Sequence, residues 1–265
     1  MKRLSLLYRG PFLSVLNIEK SWSIVVEFPT PLIEGRLLKR YKRFLADIEL
    51  PSGEVVVAHC PNTGSMTRCQ QDGASVWLSK SDNPKRKLAY TWELVEVDEQ
   101  YLACINTGYP NKLVGEAIAN GVIEELAGCT EQKAEVKYGE KSRIDWLLTS
   151  GDGRKCYVEV KNVTLLENDG LGYFPDAVTD RGRKHLYELA KMVEEGHRAV
   201  MFFCVSHTGI SSVTPAAHID KKYAQAFVEV VGKGVEVMAY QLAIDSQEMK
   251  VVRSVPVVMP ELIDS

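Results

Sequence analysis

The run Arg143-Ile144-Asp145-Trp146-Leu147-Leu148-Thr149, a turn Ser150-Gly151-Asp152-Gly153-Arg154, and then Lys155-Cys156-Tyr157-Val158-Glu159-Val160-Lys161 decides the fold. Both flanks are rich in branched and aromatic residues and the Asp-Gly pair favours a tight reversal, so the spacing predicts an antiparallel hairpin. Alternation places Tyr157, Glu159 and Lys161 on one face of the second strand, and Cys156, Val158 and Val160 on the other. Asp145, across the hairpin, comes within reach of Glu159. Two carboxylates and an ammonium on one sheet surface suit a hard divalent cation. A solvated cross-strand ion pair is the plainer account of Glu159 and Lys161 taken alone. Asp145 weighs against it, because a carboxylate flanked by Ile144 and Trp146-Leu147-Leu148 is costly without a partner.

Outward from the hairpin, the chain divides in two. Residues 24–107 read as short strands, including Leu37 to Leu50, Glu54 to His59, Ser75 to Lys80 and Tyr90 to Val97, separated by Gly-, Pro- and Asn-rich turns. That pattern predicts a small barrel or sandwich. From Asn111, read as a helix cap, a stripe of Val114, Ile118, Val122 and Leu126 predicts a helix over 112–127. Strands are expected at 134–138, 143–149 and 155–162, then a long loop over 164–180 and a helix over 183–195. A strand over 199–205, a helix over 222–232, a strand over 236–242 and a loose tail from Pro256 complete the reading. Segregated strands followed by alternating helix and strand predict two domains, 24–108 and 109–265.

Composition narrows the function classes. The 265 residues carry a formal net charge of −3, so nucleic-acid affinity must come from local patches. No apolar run is long enough for a membrane span. Six scattered cysteines with no CxxC pair predict reduced, inert thiols. Met1-Lys2-Arg3-Leu4-Ser5-Leu6-Leu7 imitates a signal-peptide start, but Arg9, Gly10 and Pro11 break it, so a cytoplasmic protein is expected and residues 1–23 are set aside as an extension of doubtful significance.

The order helix, three strands, helix, strand, with Asp145 on the second strand and Glu159-Val160-Lys161 on the third, resembles the PD-(D/E)XK nuclease superfamily, which implies phosphodiester hydrolysis. That reaction needs a deprotonated water and a sink for phosphate charge, both of which a bound cation supplies. Asp145, Glu159 and the carbonyl of Val160 are the expected metal ligands, and Lys161 the residue that polarises the phosphate. Glu116, one turn into the first helix, is the expected further carboxylate. Arg181, Lys184 and His185, at the start of a helix after the long loop, suit phosphate. In the first half, Arg36, Lys39, Arg40, Lys42 and Arg43 are interleaved with Tyr41 and Phe44, as on strand surfaces that track a nucleic-acid backbone.

Longer motifs carry a specific resemblance. Leu38 to Asp47, HCPNTGSM at 59–66, YVEVKNVTL at 157–165, FPDAVTDRGRKHL at 174–186 and GVEVMAY at 234–240 are similar to the sugar fermentation stimulation protein A family. The resemblance spans about Val26 to Ala243. It implies an N-terminal OB-fold β-barrel followed by an α/β domain of the PD-(D/E)XK nuclease type, with Asp145, Glu159 and Lys161 as nuclease residues. The implied function is a Mg2+- or Mn2+-dependent DNA nuclease acting without strong sequence preference. The alternative is a non-catalytic DNA-binding regulator of sugar (maltose) metabolism.

Overall fold

The computed structural model describes residues 26–28, 30–139 and 142–262, so the expected extension 1–23 lies outside the described residues. A short strand, β1 (Val26–Glu27), precedes β2 (Ile33–Tyr41), β3 (Leu45–Glu49), β4 (Val55–His59), β5 (Ser75–Lys80), β6 (Tyr90–Val97) and β7 (Tyr101–Cys104). There follow α1 (Tyr109–Ala119), a 3-10 turn at Glu124–Leu126, β8 (Cys129–Tyr138), β9 (Ser142–Ser150), β10 (Lys155–Val163), β11 (Leu165–Asn168) and β12 (Leu171–Phe174). The chain ends with α2 (Asp180–Glu194), β13 (Arg198–Val205), β14 (Ser212–Pro215), α3 (Lys221–Gly232), β15 (Glu236–Ile244) and β16 (Glu248–Ser254).

The first half is a barrel of order β4-β3-β2-β5-β6-β7, closed where β4 pairs in parallel with β6. Leu37, Ile48, Ala58, Leu78 and Trp92 fill its interior with no exposed surface. The expected single strand from Leu37 to Leu50 is instead a hairpin. Lys42 and Arg43 turn the chain at φ 49° and 64°, and Tyr41 pairs with Leu45. Two consecutive left-handed residues reverse a strand whose composition alone reads as continuous.

The second half is a seven-stranded sheet of order β1-β16-β15-β13-β10-β9-β8, parallel across β10, β13 and β15 and antiparallel elsewhere. Helix α1 covers one face, where Leu113, Val114 and Ala117 meet Cys156, Val158 and Val160. Helices α2 and α3 cover the other, where Leu186, Leu189 and Phe227 meet Tyr157, Met201 and Phe203. The expected alternation along β10 therefore holds. The N-terminal strand β1 closes the outer edge of this sheet by pairing with β16, so Val26 and Glu27 lie with the second half.

Three other expectations differ. Helix α1 starts at Tyr109, with Pro110 at its first turn, and stops at Asn120-Gly121, where Gly121 has φ 71°. Asn111 is thus inside the helix and not its cap. The expected loop over 164–180 contains the hairpin β11–β12, turned at Gly170 and extended by β14. The tail is not loose throughout, since Val257 bridges to Val213.

The halves are tied together. Ala103 at the end of β7 bridges to His207, Cys104 N donates to Ser206 O at 2.9 Å, and Thr208 N donates to Leu102 O at 2.9 Å. Asp176, before α2, accepts from Met66 N at 2.9 Å, and its carbonyl accepts from Ser65 Oγ at 3.1 Å.

Candidate functional site

The hairpin β9–β10 pairs regularly from Lys155↔Thr149 to Val158↔Trp146 and then opens. Beyond that point Asp145 takes over the backbone partner that β9 no longer supplies, its Oδ2 accepting from Val160 N at 2.7 Å. Its Oδ1 accepts from Asn111 Nδ2 of α1 at 2.7 Å. The next residue, Trp146, donates from Nε1 to Asn111 O at 3.1 Å. N–H and C=O of one strand residue point to the same edge, so the Val160 carbonyl faces the same opening.

Glu159 is 2% exposed and lies on the α2 face. Its Oε1 accepts from Lys161 Nζ at 2.6 Å and contacts His185 Nδ1 of α2. Its Oε2 is buried with no hydrogen-bond partner. Burial pushes this carboxyl up, but the His185 hydrogen bond and the Lys161 charge outweigh it and hold Glu159 below the usual carboxylate range. Asp145 goes the other way. Burial and the nearby Glu159 charge raise it, against the bonds from Val160 and Asn111. The two carboxyls are thus moved in opposite directions by their different partners.

The carboxylates open into a cleft of about 400 Å³ lined by Glu135, Ser142, Arg143, Asp145, Glu159, Arg181, Lys184 and His185. Three cationic side chains, Arg143, Arg181 and Lys184, thus line the same cleft as the three acids, with Arg181 Nε 3.5 Å from His185 Nε2 and Lys184 Nζ 3.6 Å from Glu188. Arg143 and Glu135 are not among the residues that the sequence singles out. Arg143 lies two residues before Asp145, which is its one available signal. Glu135 sits at φ 54° where β8 departs from its neighbours' regular pairing, and nothing in a run of alternating charges announces it.

Glu116 is not brought to the cleft. It is half-buried on α1, 3.9 Å from Lys112, because the face of α1 that meets the sheet carries Leu113, Val114 and Ala117. His185 is 5% exposed and bonded to Glu159, so it is not the open phosphate contact expected, since α2 turns this position inward. On the barrel, Arg36 pairs with Glu49 at 2.6 Å and Lys39 with Asp47 at 3.3 Å, both partners arriving from β3. Arg40 donates to the carbonyls of Arg43, Asn62 and Gly64 and so braces the turn at 59–66. Lys42 and Arg43 remain exposed at the hairpin tip.

A divalent cation fits these residues. Glu159, with its unpartnered, buried Oε2, and Asp145 line one cleft, and the Val160 carbonyl leaves the strand on the side where Val160 N meets Asp145. Among the described residues no three His, Cys, Asp or Glu side chains gather into a ready-made ligand set. Two carboxylates and a backbone carbonyl are hard oxygen ligands of the kind divalent cations such as Ca2+ and Mg2+ take.

An OB-fold barrel joined to an α/β domain, with a carboxylate–lysine cleft at a splayed hairpin, defines the class of protein. The chain belongs to the sugar fermentation stimulation protein family: its N-terminal OB domain model matches residues 38–105, and its RE domain model matches residues 108–248. A sugar fermentation stimulation protein homolog from a Marinomonas species is 89% identical over 246 residues, 93% of this chain and 95% of that protein. Another, from Pseudoalteromonas atlantica, is 56% identical over 88% of this chain and 100% of that protein. The solved structure of Pyrococcus furiosus SfsA in complex with Ca2+ superposes with a TM-score of 0.79 at 27% identity, covering 88% of this chain and 98% of the other. No helix among the described residues is long and apolar enough to cross a membrane.

Proposed function

We propose that this chain is a divalent-metal-dependent DNA nuclease of the PD-(D/E)XK type, acting without strong sequence preference. One observation carries the reading: Glu159, almost wholly buried, is held through Oε1 by Lys161 and His185 while Oε2, also buried, has no partner beside Asp145. A buried acceptor without a donor is costly in isolation and sensible as a ligand. The Ca2+ of the Pyrococcus furiosus relative supports a hard divalent cation as the class, with Mg2+ or Mn2+ as the ion for turnover.

In this reading Asp145, Glu159 and the Val160 carbonyl hold the cation. When bound, it supplies positive charge against the phosphate oxygens and eases deprotonation of a water. Lys161, its Nζ 2.6 Å from Glu159 Oε1, orients the attacking water. Arg143, Arg181 and Lys184 fix the phosphate along the cleft, and Lys42 and Arg43 at the barrel tip take the backbone further out. Free thiols at all six cysteines support a cytoplasmic home.

The test incubates linear and circular DNA with purified protein and Mg2+, beside Glu159→Gln and Lys161→Ala. DNA loss in the wild type, absent with EDTA and in both variants, is the expected result. If all three proteins leave the DNA intact yet retard it equally on a gel, the nuclease reading is wrong.

A further inference from the structure

Each of the two carboxylates is gripped by a side chain from outside the hairpin, one from each face of the sheet. On the α1 face, Asn111 donates to Asp145 Oδ1 at 2.7 Å, and the same residue's carbonyl takes the Trp146 indole at 3.1 Å. Helix α1 thus holds both Asp145 and its neighbour, and together with Val160 N it leaves neither Asp145 oxygen without a donor. On the α2 face, His185 Nδ1 meets Glu159 Oε1, an oxygen that can only accept, so the proton lies on this nitrogen; Lys161 Nζ is 3.4 Å from it, and Arg181 Nε is 3.5 Å from the other ring nitrogen, Nε2. With Lys161 on the same oxygen, Oε1 is saturated and the carboxylate cannot rotate without breaking two bonds.

We infer that Asn111 and His185 are the positioning residues of this site: they aim Asp145 and Glu159 so that Glu159 presents Oε2 to the cation. The inference rests on the metal-site reading above. It assigns His185 to the carboxylate and not to DNA, and it assigns the first-helix position nearest the site to an amide donor where a carboxylate, Glu116, was expected. An amide there adds no charge to a cleft that already holds Asp145, Glu159 and Glu135. It also offers hydrogen where an acid would offer a competing oxygen.

The experiment measures Mn2+ binding to the full chain without DNA, from the electron paramagnetic resonance signal of unbound Mn2+. Partners that orient metal ligands typically contribute about 10- to 100-fold to metal affinity. His185→Ala and Asn111→Ala are expected to weaken Mn2+ binding by about 10-fold or more, with urea midpoints recorded on metal-free protein to establish that they fold. If the alanine variants do not fold, the conservative variants decide. His185→Asn keeps an N–H at the Nδ1 position and is expected to bind much as the wild type does. His185→Gln moves the amide to the far ring position and is expected to bind weakly, so equal affinities for the two overturn the role of His185. Asn111→Asp turns the donor into a second acid and is expected to weaken binding; tighter binding would make position 111 a ligand and overturn its role as donor. Glu159→Gln is expected to leave the Mn2+ signal unchanged; if the wild type leaves it unchanged as well, the metal reading itself fails. If the wild type binds and all position 111 and 185 variants bind equally, only the positioning roles fail.

Discussion

Replacing Gly115 by alanine sets two opposed effects against each other, and their magnitudes decide the sign. In the interior of a helix alanine is favoured over glycine by about 1 kcal/mol. Against this, a Cβ at position 115 would lie 2.1 Å from Trp146 Cζ2, 2.6 Å from Cη2 and 2.7 Å from Cε2. The obstacle is the flat of an indole, not the end of a flexible chain, and its Nε1 is tied to Asn111 O in the same helix. Relief requires α1 to lift from the sheet or the indole to swing away. Overpacking of a dense core costs about 1–3 kcal/mol, and breaking the indole hydrogen bond about 1 kcal/mol more. The helix gain offsets only about 1 kcal/mol of this, so Gly115→Ala is expected to destabilise by about 1–3 kcal/mol. Urea unfolding should show a lower midpoint with an unchanged slope. Because Asp145 adjoins Trp146 and shares Asn111 with it, Mn2+ affinity should fall as well. A midpoint equal to or above that of the wild type would mean that helix propensity wins and that α1 does not seat on the indole as described.

His207, fully buried where β7 meets the second half, gives a pH signature. Burial pushes its imidazole down to about 4, while the unfolded side chain takes up its proton near the ordinary 6.5. The unfolded state therefore binds more protons between these values, and stability rises with pH across that window. The contribution is roughly 3 kcal/mol, so wild type should lose more urea resistance than His207→Asn between about pH 7 and pH 4.5; parallel losses would refute it. On the barrel, Lys42→Ala with Arg43→Ala should flatten the salt dependence of DNA retardation by about 0.9 for each phosphate that is no longer neutralised. Arg40→Ala should lower thermal stability and leave that slope unchanged, and the reverse pattern would place DNA on the braced arginine and not at the hairpin tip.

What the sequence makes legible follows from range. The hairpin at 143–161 can be read because strand alternation and a tight turn are local, and both acids and the lysine are carried on it. Helix α3 and strand β13 are legible for the same reason. Asn111 misleads because a polar residue ahead of an apolar stripe is a local cap signal, whereas Pro110 and the Asn120-Gly121 stop shift the helix toward the N-terminus. His185 misleads because it stands among cations, Arg181 and Lys184 lining the cleft and Arg183 pairing with Asp180 and Asp220, while the helix buries position 185 beside Leu186 and Leu189. Nothing in the periodicity of either helix says that positions 111 and 185 meet a carboxylate from another element.

The barrel makes the same point about charge. Arg36 and Lys39 look like a basic patch when the run 36–44 is read along one strand. A strand's electrostatic partners stand on its neighbour, and the register Arg36↔Glu49 and Lys39↔Asp47 neutralises both cations across β3. Lys42 and Arg43 escape this because the turn lifts them beyond the last pair, Tyr41↔Leu45, where no opposite residue exists to meet them. A cation's availability to phosphate is thus set by whether the ladder supplies it a partner, and a cluster of positive residues in sequence yields an open patch only where the sheet ends. The same rule operates at the cleft: Asp145 is free to leave the ladder and reach Val160 because β9 and β10 stop pairing at Val158↔Trp146.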